Sequence, residues 1–176
     1  MLTRRSWLAG LGLHKVAGLL PAAAAAADWP QFRGPNRDNI SRETGLLRQW
    51  PAKGPKLLWT VPVAQGYAGA AIVAGRVYHH DYDEKTFDWR VLCRHLATGK
   101  EIWSFSERRV IRPNHAITRT VPAVDGRYVI SLDPKCVLHC LDAKTGKQLW
   151  RKDLVTEYQT AIPPWYNGQC PLIEKD

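Results

Sequence analysis

The sequence predicts an all-β protein that forms part of a β-propeller, and three observations lead to this fold class. A unit of about four short apolar segments occurs twice along the chain. Each copy contains a glycine turn that is followed by a tryptophan. From residue 28 onward, no segment has the 3.6-residue apolar period of a helix. Four-stranded units that recur about every 40–50 residues are typical of propeller blades.

The repeat is defined by two pairs of aligned stretches. Residues 93–103 match residues 140–150 at an offset of 47, with Cys, Thr, Gly, Lys and Trp in equivalent places. Upstream, residues 73–78 match residues 124–129 at an offset of 51, so one hairpin loop is longer in the first copy. Trp59 precedes the Trp of the first copy by 44 residues and marks a third, partial copy. A blade cannot bury both of its faces alone, so the copies are expected to stack on each other.

Each copy is predicted to form four antiparallel strands, because its apolar runs are rich in Val, Ile, Leu, Tyr and Trp. The first blade covers about residues 68–106, with strands near 70–73, 76–82, 90–96 and 101–106, and the second covers about 120–153, with strands near 120–124, 127–132, 137–141 and 148–153. Ala74-Gly75 and Asp125-Gly126 predict short hairpin turns between the first two strands of each blade.

The turn before the last strand of each blade carries the residues that define the repeat. In the second copy, the side chains of Asp142 and Thr145 can satisfy backbone groups, and Gly146 can adopt a positive φ. The tryptophans are expected to pack between adjacent blades as large apolar plates. A structural role is predicted for eight repeat positions: Trp59, Trp103, Trp150, Gly99, Gly146, Thr98, Thr145 and Asp142.

Residues 1–27 have the features of a signal peptide. Arg4 and Arg5 precede a modestly apolar stretch, and alanines at 22–27 suit cleavage before Asp28. The paired arginines favour twin-arginine export, and an ordinary secretory signal with two arginines is the alternative. The apolar run is too short to remain as a membrane-spanning helix. The protein is therefore expected in the periplasm or otherwise outside the cytoplasm, with no transmembrane segment after removal of the signal.

The segment at residues 28–56 is rich in Pro, Gly and aromatic residues, and its pattern fits neither helix nor strand. We expect an extended segment whose Trp29 and Phe32 dock on the body of the protein.

Residues 57–176 are assigned to a partial propeller. It begins with an early strand at 57–63, which would complete the last blade of a closed ring. Residues 171–174 match the first strand of the second copy, so a third blade is expected to be cut at its first strand. The chain is therefore expected to be the N-terminal fragment of a longer protein.

The formal net charge of +9 is spread along the chain. Its densest basic cluster is Arg108, Arg109 and Arg112. This cluster is too thin for a nucleic-acid footprint, so a solvated basic surface is predicted and nucleic acid is not an expected partner.

The repeat turns resemble a known family. The pattern Leu-Asp-Ala-x-Thr-Gly-Lys-x-x-Trp is met fully at residues 141–150 and loosely at 94–103. It is similar to the signature of the pyrroloquinoline-quinone-like β-propeller repeat. The opening Asp-Trp-Pro-Gln-Phe-Arg-Gly-Pro-Asn at residues 28–36 resembles the start of exported members, including those of the outer membrane protein assembly factor B type. The resemblance covers residues 28–176 and implies a ring of seven or eight blades, of which about two are present.

The resemblance implies two main functions. The favoured one is a non-catalytic binding or scaffold propeller in the cell envelope, whose rim or channel holds a protein or cell-envelope partner. A sugar- or polymer-binding propeller is a separate, third hypothesis. The alternative is part of an oxidoreductase that acts on alcohols or sugars with pyrroloquinoline quinone (PQQ) and Ca²⁺. Enzymes of that kind often carry two adjacent cysteines beside the cofactor, and this sequence has no adjacent pair. No catalytic residue, metal ligand or cofactor is therefore predicted. PQQ and Ca²⁺ are expected only under the oxidoreductase alternative.

The sequence predicts different environments for the four cysteines. Cys93 and Cys140 are repeat-equivalent strand residues and are predicted to be buried apolar side chains. Cys136 and Cys140 lie four residues apart on one strand, about 13 Å at ~3.3 Å per residue, which is too far for a mutual disulfide. Cys170 could pair with one of the others, and the sequence leaves the connectivity open.

Residues 79–84 form the densest polar cluster of the sequence. His79 and His80 are adjacent on a predicted strand and point to opposite faces, so a shared metal ion is not expected. Residues 81–88 are predicted to be an acidic, exposed loop. His115 is predicted to be a solvated or hydrogen-bonded loop histidine on the connection into the second blade.

Overall fold

Two antiparallel sheets of four strands each make up the body of the computed structural model, which describes residues 27–64, 66–111 and 117–174. The first sheet contains β1 (Ala71–Val73), β2 (Arg76–Asp83), β3 (Asp88–His95) and β4 (Glu101–Arg108). The second contains β5 (Ala123–Val124), β6 (Tyr128–Leu132), β7 (Val137–Asp142) and β8 (Gln148–Asp153), and is followed by a one-turn helix, α1 (Leu154–Glu157).

Each strand pairs with the strand that follows it in sequence, so both sheets are simple meanders. This is the arrangement of a propeller blade. It confirms the all-β fold class, and the observed strands agree with the predicted ones to within three residues at every end. Among the described residues, no helix is long and apolar enough to cross a membrane.

The hairpin turns have the predicted glycines but differ in detail. Ala74 and Gly75 have φ values of 50° and 71°, which is the two-residue turn that suits the twist of a hairpin. In the second blade Gly126 has a φ of 90°, and the Asp125 carboxylate accepts the backbone N–H of Tyr128 at 2.7 Å. The first turn therefore relies on backbone conformation, and the second relies on a side-chain cap.

The cysteines show how closely the two blades repeat. Cys93 lies opposite Trp103 and Cys140 lies opposite Trp150, with a shift in strand register after each cysteine. Both are buried, and all four thiols are free. Cys136 is not on the strand as predicted: it lies in the turn before β7, with a φ of 66°.

The core lies between the two sheets and draws side chains from both. Tyr78, Trp89 and Trp103 from the first sheet belong to the same buried apolar cluster as Val129 and Leu141 from the second. Because neither sheet covers this cluster alone, the two blades stabilise each other by stacking.

The N-terminal segment joins the first strands of the two blades. Trp29 forms an antiparallel bridge with Ile72, with N···O distances of 2.7 and 2.9 Å. The backbone N–H of Val124 donates to the carbonyl of Pro30 at 2.9 Å. Trp29 therefore docks as expected, whereas Phe32 does not and is 54% exposed. The chain folds into turns after Pro30 instead of staying extended, and we name residues 28–38 the N-terminal strap.

The structure differs from the sequence-based prediction at three elements, which are two predicted strands and one short helix. Residues 57–63 and 171–174 form no strand, because a strand needs a hydrogen-bonded neighbour and the described residues offer none at those places. The helix α1 was not expected from the sequence. It is only four residues long, too short to show a helical period, and it begins because the Asp153 carboxylate accepts the backbone N–H groups of Val155 and Thr156.

Candidate functional site at the junction between the blades

Trp103 connects the last strand of the first blade to the turn of the second. Its indole Nε1 donates a hydrogen bond to the carbonyl of Ala143 at 3.1 Å. The ring lies directly on Gly146, where a Cβ would come within 2.5 Å of the indole. Gly146 also has a φ of 73°, so this position requires glycine for both space and backbone conformation.

Trp59 makes the same contact one repeat earlier. Its Nε1 donates to the carbonyl of Leu96 at 2.7 Å, and a Cβ on Gly99 would lie 2.6 Å from its indole. Gly99 has a φ of 69°. Residues 57–63 thus lack strand structure, but Trp59 still occupies the place that the repeat assigns to it.

Trp150 differs from the other two repeat tryptophans. It is 46% exposed on β8, and the described residues contain no third glycine turn on which it could lie. The expectation that Trp150 packs between blades therefore stays a prediction, because the described residues include no turn of a following blade.

The two repeat turns are held in different ways. The carboxylate of Asp142 accepts from the Thr145 backbone N–H and hydroxyl, both at 2.8 Å, and these two bonds lower its pKa. In the first turn His95 stands in the place of Asp142, and the bonds run to its backbone carbonyl from the N–H groups of Gly99 (2.8 Å) and Thr98 (3.3 Å). The turn shape therefore survives the loss of the Asp cap.

The carbonyl of Ala143 collects donors from the first blade. Besides Trp103, it accepts from the Arg76 guanidinium at 2.9 Å and from the Tyr78 hydroxyl at 3.4 Å. Burial, with a smaller contribution from Cys93, raises the pKa of Tyr78 to about 12, so the phenol stays a neutral donor. No sequence motif marks a carbonyl oxygen, and this contact could not have been predicted.

His80 contacts the second blade through both of its ring nitrogens. Its Nδ1 lies 2.8 Å from the carbonyl of Thr120, and its Nε2 lies 3.1 Å from the hydroxyl of Ser131. Because a carbonyl only accepts, Nδ1 carries the proton and Nε2 accepts from Ser131. Burial lowers the pKa of His80 to about 4, which keeps the ring neutral. His80 is therefore a buried bridge between the blades.

His79 faces the other side of the sheet, as the strand alternation predicted. Its Nε2 accepts from the Arg94 guanidinium at 3.2 Å, and burial lowers its pKa. The expected exposed loop is shorter than predicted, because Asp81 lies on β2 and is buried. Asp81 forms an ion pair with Arg90 at 2.5 Å and accepts the Ala64 N–H at 2.8 Å.

A second polar group centres on Asp133, whose side chain is fully buried. Its Oδ1 accepts the backbone N–H groups of Lys135 and Val137, both at 2.8 Å, and its Oδ2 forms an ion pair with Arg109. Burial would raise the pKa of Asp133, but His139, the Val137 amide and Arg109 together hold it below its ordinary value. Asp133 is therefore charged and fully engaged.

Arg109 and His139 share a further carboxylate. Arg109 lies 2.6 Å from Glu107, and the two ring nitrogens of His139 lie 3.6 Å from Glu107 and 3.6 Å from Asp133. Gln148 donates to Nδ1 of His139 at 3.0 Å. Glu107 and Arg109 come from the end of the first blade, and the other three residues come from the second, so the group ties the blades together electrostatically.

Trp89 separates the two buried histidines. Its ring centroid lies 5.2 Å from that of His80 and 5.0 Å from that of His139. No sequence motif singles out Trp89, although it is one of the largest fully buried side chains. The acid and base groups of the junction thus bond to each other, to backbone or to amides, and His115 lies outside the described residues. Residues 27–64, 66–111 and 117–174 contain no group of three or more His, Cys, Asp or Glu side chains placed to hold a metal ion.

Lowering the pH from 7 to 5 is expected to reduce the free energy of unfolding by about 2 kcal/mol through His80 alone. Its pKa is about 4 in the folded protein and about 6.5 when unfolded, so the unfolded chain takes up a proton first. The stability is complete above about pH 6.5 and is lost as the pH falls towards 4. Urea unfolding at both pH values measures this loss. His80→Asn cannot titrate and should show a smaller loss; an unchanged loss would contradict the assignment.

Comparison with known proteins gives the following similarities. The family described as "Outer membrane protein assembly factor BamB" matches residues 88–176, half of the chain. BamB from Moraxella catarrhalis has 22% identity and a TM-score of 0.41, over 54% of this chain and 26% of that one. Quinohemoprotein alcohol dehydrogenase from Comamonas testosteroni has 28% identity and a TM-score of 0.38, over 48% of this chain and 12% of that one. No curated protein matches.

A third solved structure, quinohemoprotein alcohol dehydrogenase ADHIIG from Pseudomonas putida HK5, has 27% identity and a TM-score of 0.36, over 47% of this chain and 12% of that one. The chain thus spans about a quarter or less of the length of these proteins. The family match covers β3 to α1, including the whole second blade and its repeat turn. This chain therefore belongs to the BamB family of outer membrane protein assembly factors.

Proposed function

We propose that this chain supplies part of a scaffold propeller that binds protein partners in the cell envelope during outer-membrane protein assembly. The family match over residues 88–176 carries the proposal. The junction supports it, because His80, Asp133, Arg109 and His139 are occupied in joining one blade to the next. Two blades held rigidly in this way present their outer surfaces to a partner in a fixed arrangement.

A quinone-dependent oxidoreductase is the alternative that the repeat type suggests. Two buried junction residues of the types that such enzymes use, Asp133 and Trp103, do not fit PQQ and Ca²⁺. Both oxygens of the buried Asp133 already accept donors, from two backbone amides and from Arg109, so neither is turned towards a cation. Trp103 is covered by the turn at Gly146, and so it offers no open ring face for a planar cofactor. We therefore derive no redox step from these residues.

Deletion of the gene from the native cell is expected to lower the amount of folded outer-membrane β-barrel proteins. The measurement is the heat-modifiable, folded fraction of these barrels in purified outer membranes. Complementation with the wild-type gene should restore it, and complementation with the Gly146→Val form should not, because a valine at that position would displace Trp103 and separate the blades. A Gly126→Val form is the matched control for backbone strain, because Gly126 also has a positive φ but a Cβ there meets nothing within 4 Å, and it should restore more of the folded fraction than Gly146→Val does.

Two results would overturn this proposal. One is an unchanged folded fraction of barrels in the deletion strain. The other is retention of added quinone and Ca²⁺ by the full-length protein together with dye reduction by alcohols or sugars, which would favour the oxidoreductase.

Export through the twin-arginine route is part of the same proposal. Changing Arg4 and Arg5 to Lys is expected to leave the precursor in the cytoplasm, because that route depends on the arginine pair. Cell fractionation followed by immunoblotting measures the location, and Lys15→Ser is the matched control for loss of positive charge in the signal. Export of the double-lysine form at the wild-type level would instead indicate an ordinary secretory signal.

A further inference from the structure

An irregular stretch between the N-terminal strap and Trp59 stands apart from the two sheets. We name residues 40–58 the basic linker. Among the described residues, no backbone hydrogen bond joins the basic linker to either sheet. Its bonds are local, such as Gly54 N–H to the carbonyl of Pro51 at 2.7 Å, apart from one from the Ala27 N–H to the Glu43 carboxylate at 2.9 Å. The blades therefore do not hold the basic linker through backbone hydrogen bonds.

The basic linker exposes large apolar side chains in unusual number. A single exposed apolar residue on a protein surface needs no explanation, but a group of them marks an interaction site. Six such side chains are between 58% and 76% exposed within these 19 residues: Ile40, Leu46, Leu47, Trp50, Leu57 and Leu58. Water is an unfavourable environment for this group, so it needs a covering surface.

The same stretch carries a positive charge. Its cations are Arg42, Arg48, Lys53 and Lys56, all exposed, and its one acidic residue is Glu43. A covering surface must therefore meet several cations as well as the apolar side chains, and it has to supply the negative charge itself.

We propose that the basic linker binds the surface of an anionic lipid bilayer. Lipid phosphates would take up the cations, while Trp50 and the leucines enter the interfacial layer, where tryptophan is enriched. The headgroup region is hydrated, so the unpaired backbone groups of the irregular linker would stay solvated there. Protein interfaces are depleted in lysine but enriched in arginine and tryptophan, so a protein partner is kept as an outcome of the test. The site goes beyond partner binding by the propeller and shares with it only the location in the cell envelope.

Binding to vesicles tests this proposal directly. The protein is purified as it accumulates in cells, its N-terminus is determined, and it is sedimented with vesicles of phosphatidylglycerol and phosphatidylcholine or of phosphatidylcholine alone. We expect binding to the anionic vesicles and little binding to the neutral ones. The binding should fall steeply in about 1 M salt, where the screening length is only about 3 Å.

Two sets of substitutions test whether binding depends on the cations of the basic linker or on the positive charge of the whole protein. The triple variant R42S/R48S/K53S is expected to weaken partition onto anionic vesicles by more than about tenfold. The matched control K100S/K144S/K147S removes three exposed lysines from the blade turns and should bind as the wild type does. The Trp50→Phe variant tests whether Trp50 itself enters the bilayer. If it does, brominated lipids should quench the tryptophan fluorescence of the wild type more than that of the variant.

Three results would overturn the proposal: no sedimentation with anionic vesicles, an equal loss of binding in both triple variants, or a Trp50 emission that is already shielded from acrylamide without lipid. The last result would show that protein, either a partner or more of the same polypeptide, covers the linker. None of these results bears on the folded fraction of outer-membrane barrels, so a failure here leaves the proposed scaffold function to its own test.

Discussion

Replacing Arg109 with methionine is expected to lower the free energy of unfolding by about 3–5 kcal/mol, because it leaves a buried carboxylate without its cation. Asp133 is fully buried and pairs with Arg109; without Arg109 it keeps only two backbone N–H donors and His139 at 3.6 Å. Denaturation in urea at pH 7, followed by circular dichroism, measures the change. The loss should appear as a lower midpoint of unfolding.

Two further variants show whether the effect comes from the buried pair. Arg151→Met removes a half-exposed guanidinium that lies 3.7 Å from Glu107, and it should cost less than about 1 kcal/mol. The double variant R109M/D133L should cost less than the sum of its two single changes, since it leaves no uncompensated charge at the pair. If Arg109→Met cost no more than Arg151→Met, the network would not hold the blades together.

Gly146→Ala is expected to destabilise the protein by about 3 kcal/mol, which is large for the addition of one methyl group. The new Cβ would lie 2.5 Å from the indole of Trp103, so the ring has to leave the turn and its bond to Ala143. The positive φ of 73° adds a backbone cost. Thermal unfolding measures the loss of stability, and intrinsic tryptophan fluorescence reports the displacement of Trp103 from the turn.

Gly75→Ala is the matched control for the backbone cost. Gly75 has a φ of 71°, and a Cβ there would meet nothing within 4 Å. It should therefore show only the conformational cost, about 1–2 kcal/mol. Equal losses at Gly75 and Gly146 would mean that Trp103 does not depend on the turn, whereas a smaller loss for Gly146→Ala in a Trp103→Ala background would confirm that it does.

Much of the fold could be predicted because turn residues mark the ends of the strands in both copies of the repeat. The stretches that became β2 to β4 and β6 to β8 are apolar, alternating and bounded by turn residues, and the two copies support each other. The segment at 57–63 has the same local character but forms no strand. Pairing with a neighbour decides that outcome, and a single segment carries no information about its neighbour.

The junction was harder to predict, for a different reason. The glycine and tryptophan positions stand out because they recur at a fixed offset. Arg109, Asp133 and His139 occur once each, are separated by 24 and 6 residues, and belong to no motif. Only the stacking of the blades brings them together. The sequence marks His80 as a polar residue on a strand, but its partner Thr120 lies 40 residues further along the chain, just before the second blade.

The N-terminal strap has a consequence for the order in which the protein folds. Trp29 is bonded to Ile72 and Pro30 to Val124, so these contacts close loops of 43 and 94 residues. Closing long loops costs chain entropy, and such contacts form after the local hairpins have formed. We therefore expect the strap, which is synthesised early, to dock last, when the first strand of the second blade is in place. Until then the N-terminal strap lacks its hydrogen bond to Val124, so the docking of the strap depends on the second blade as well as on the first.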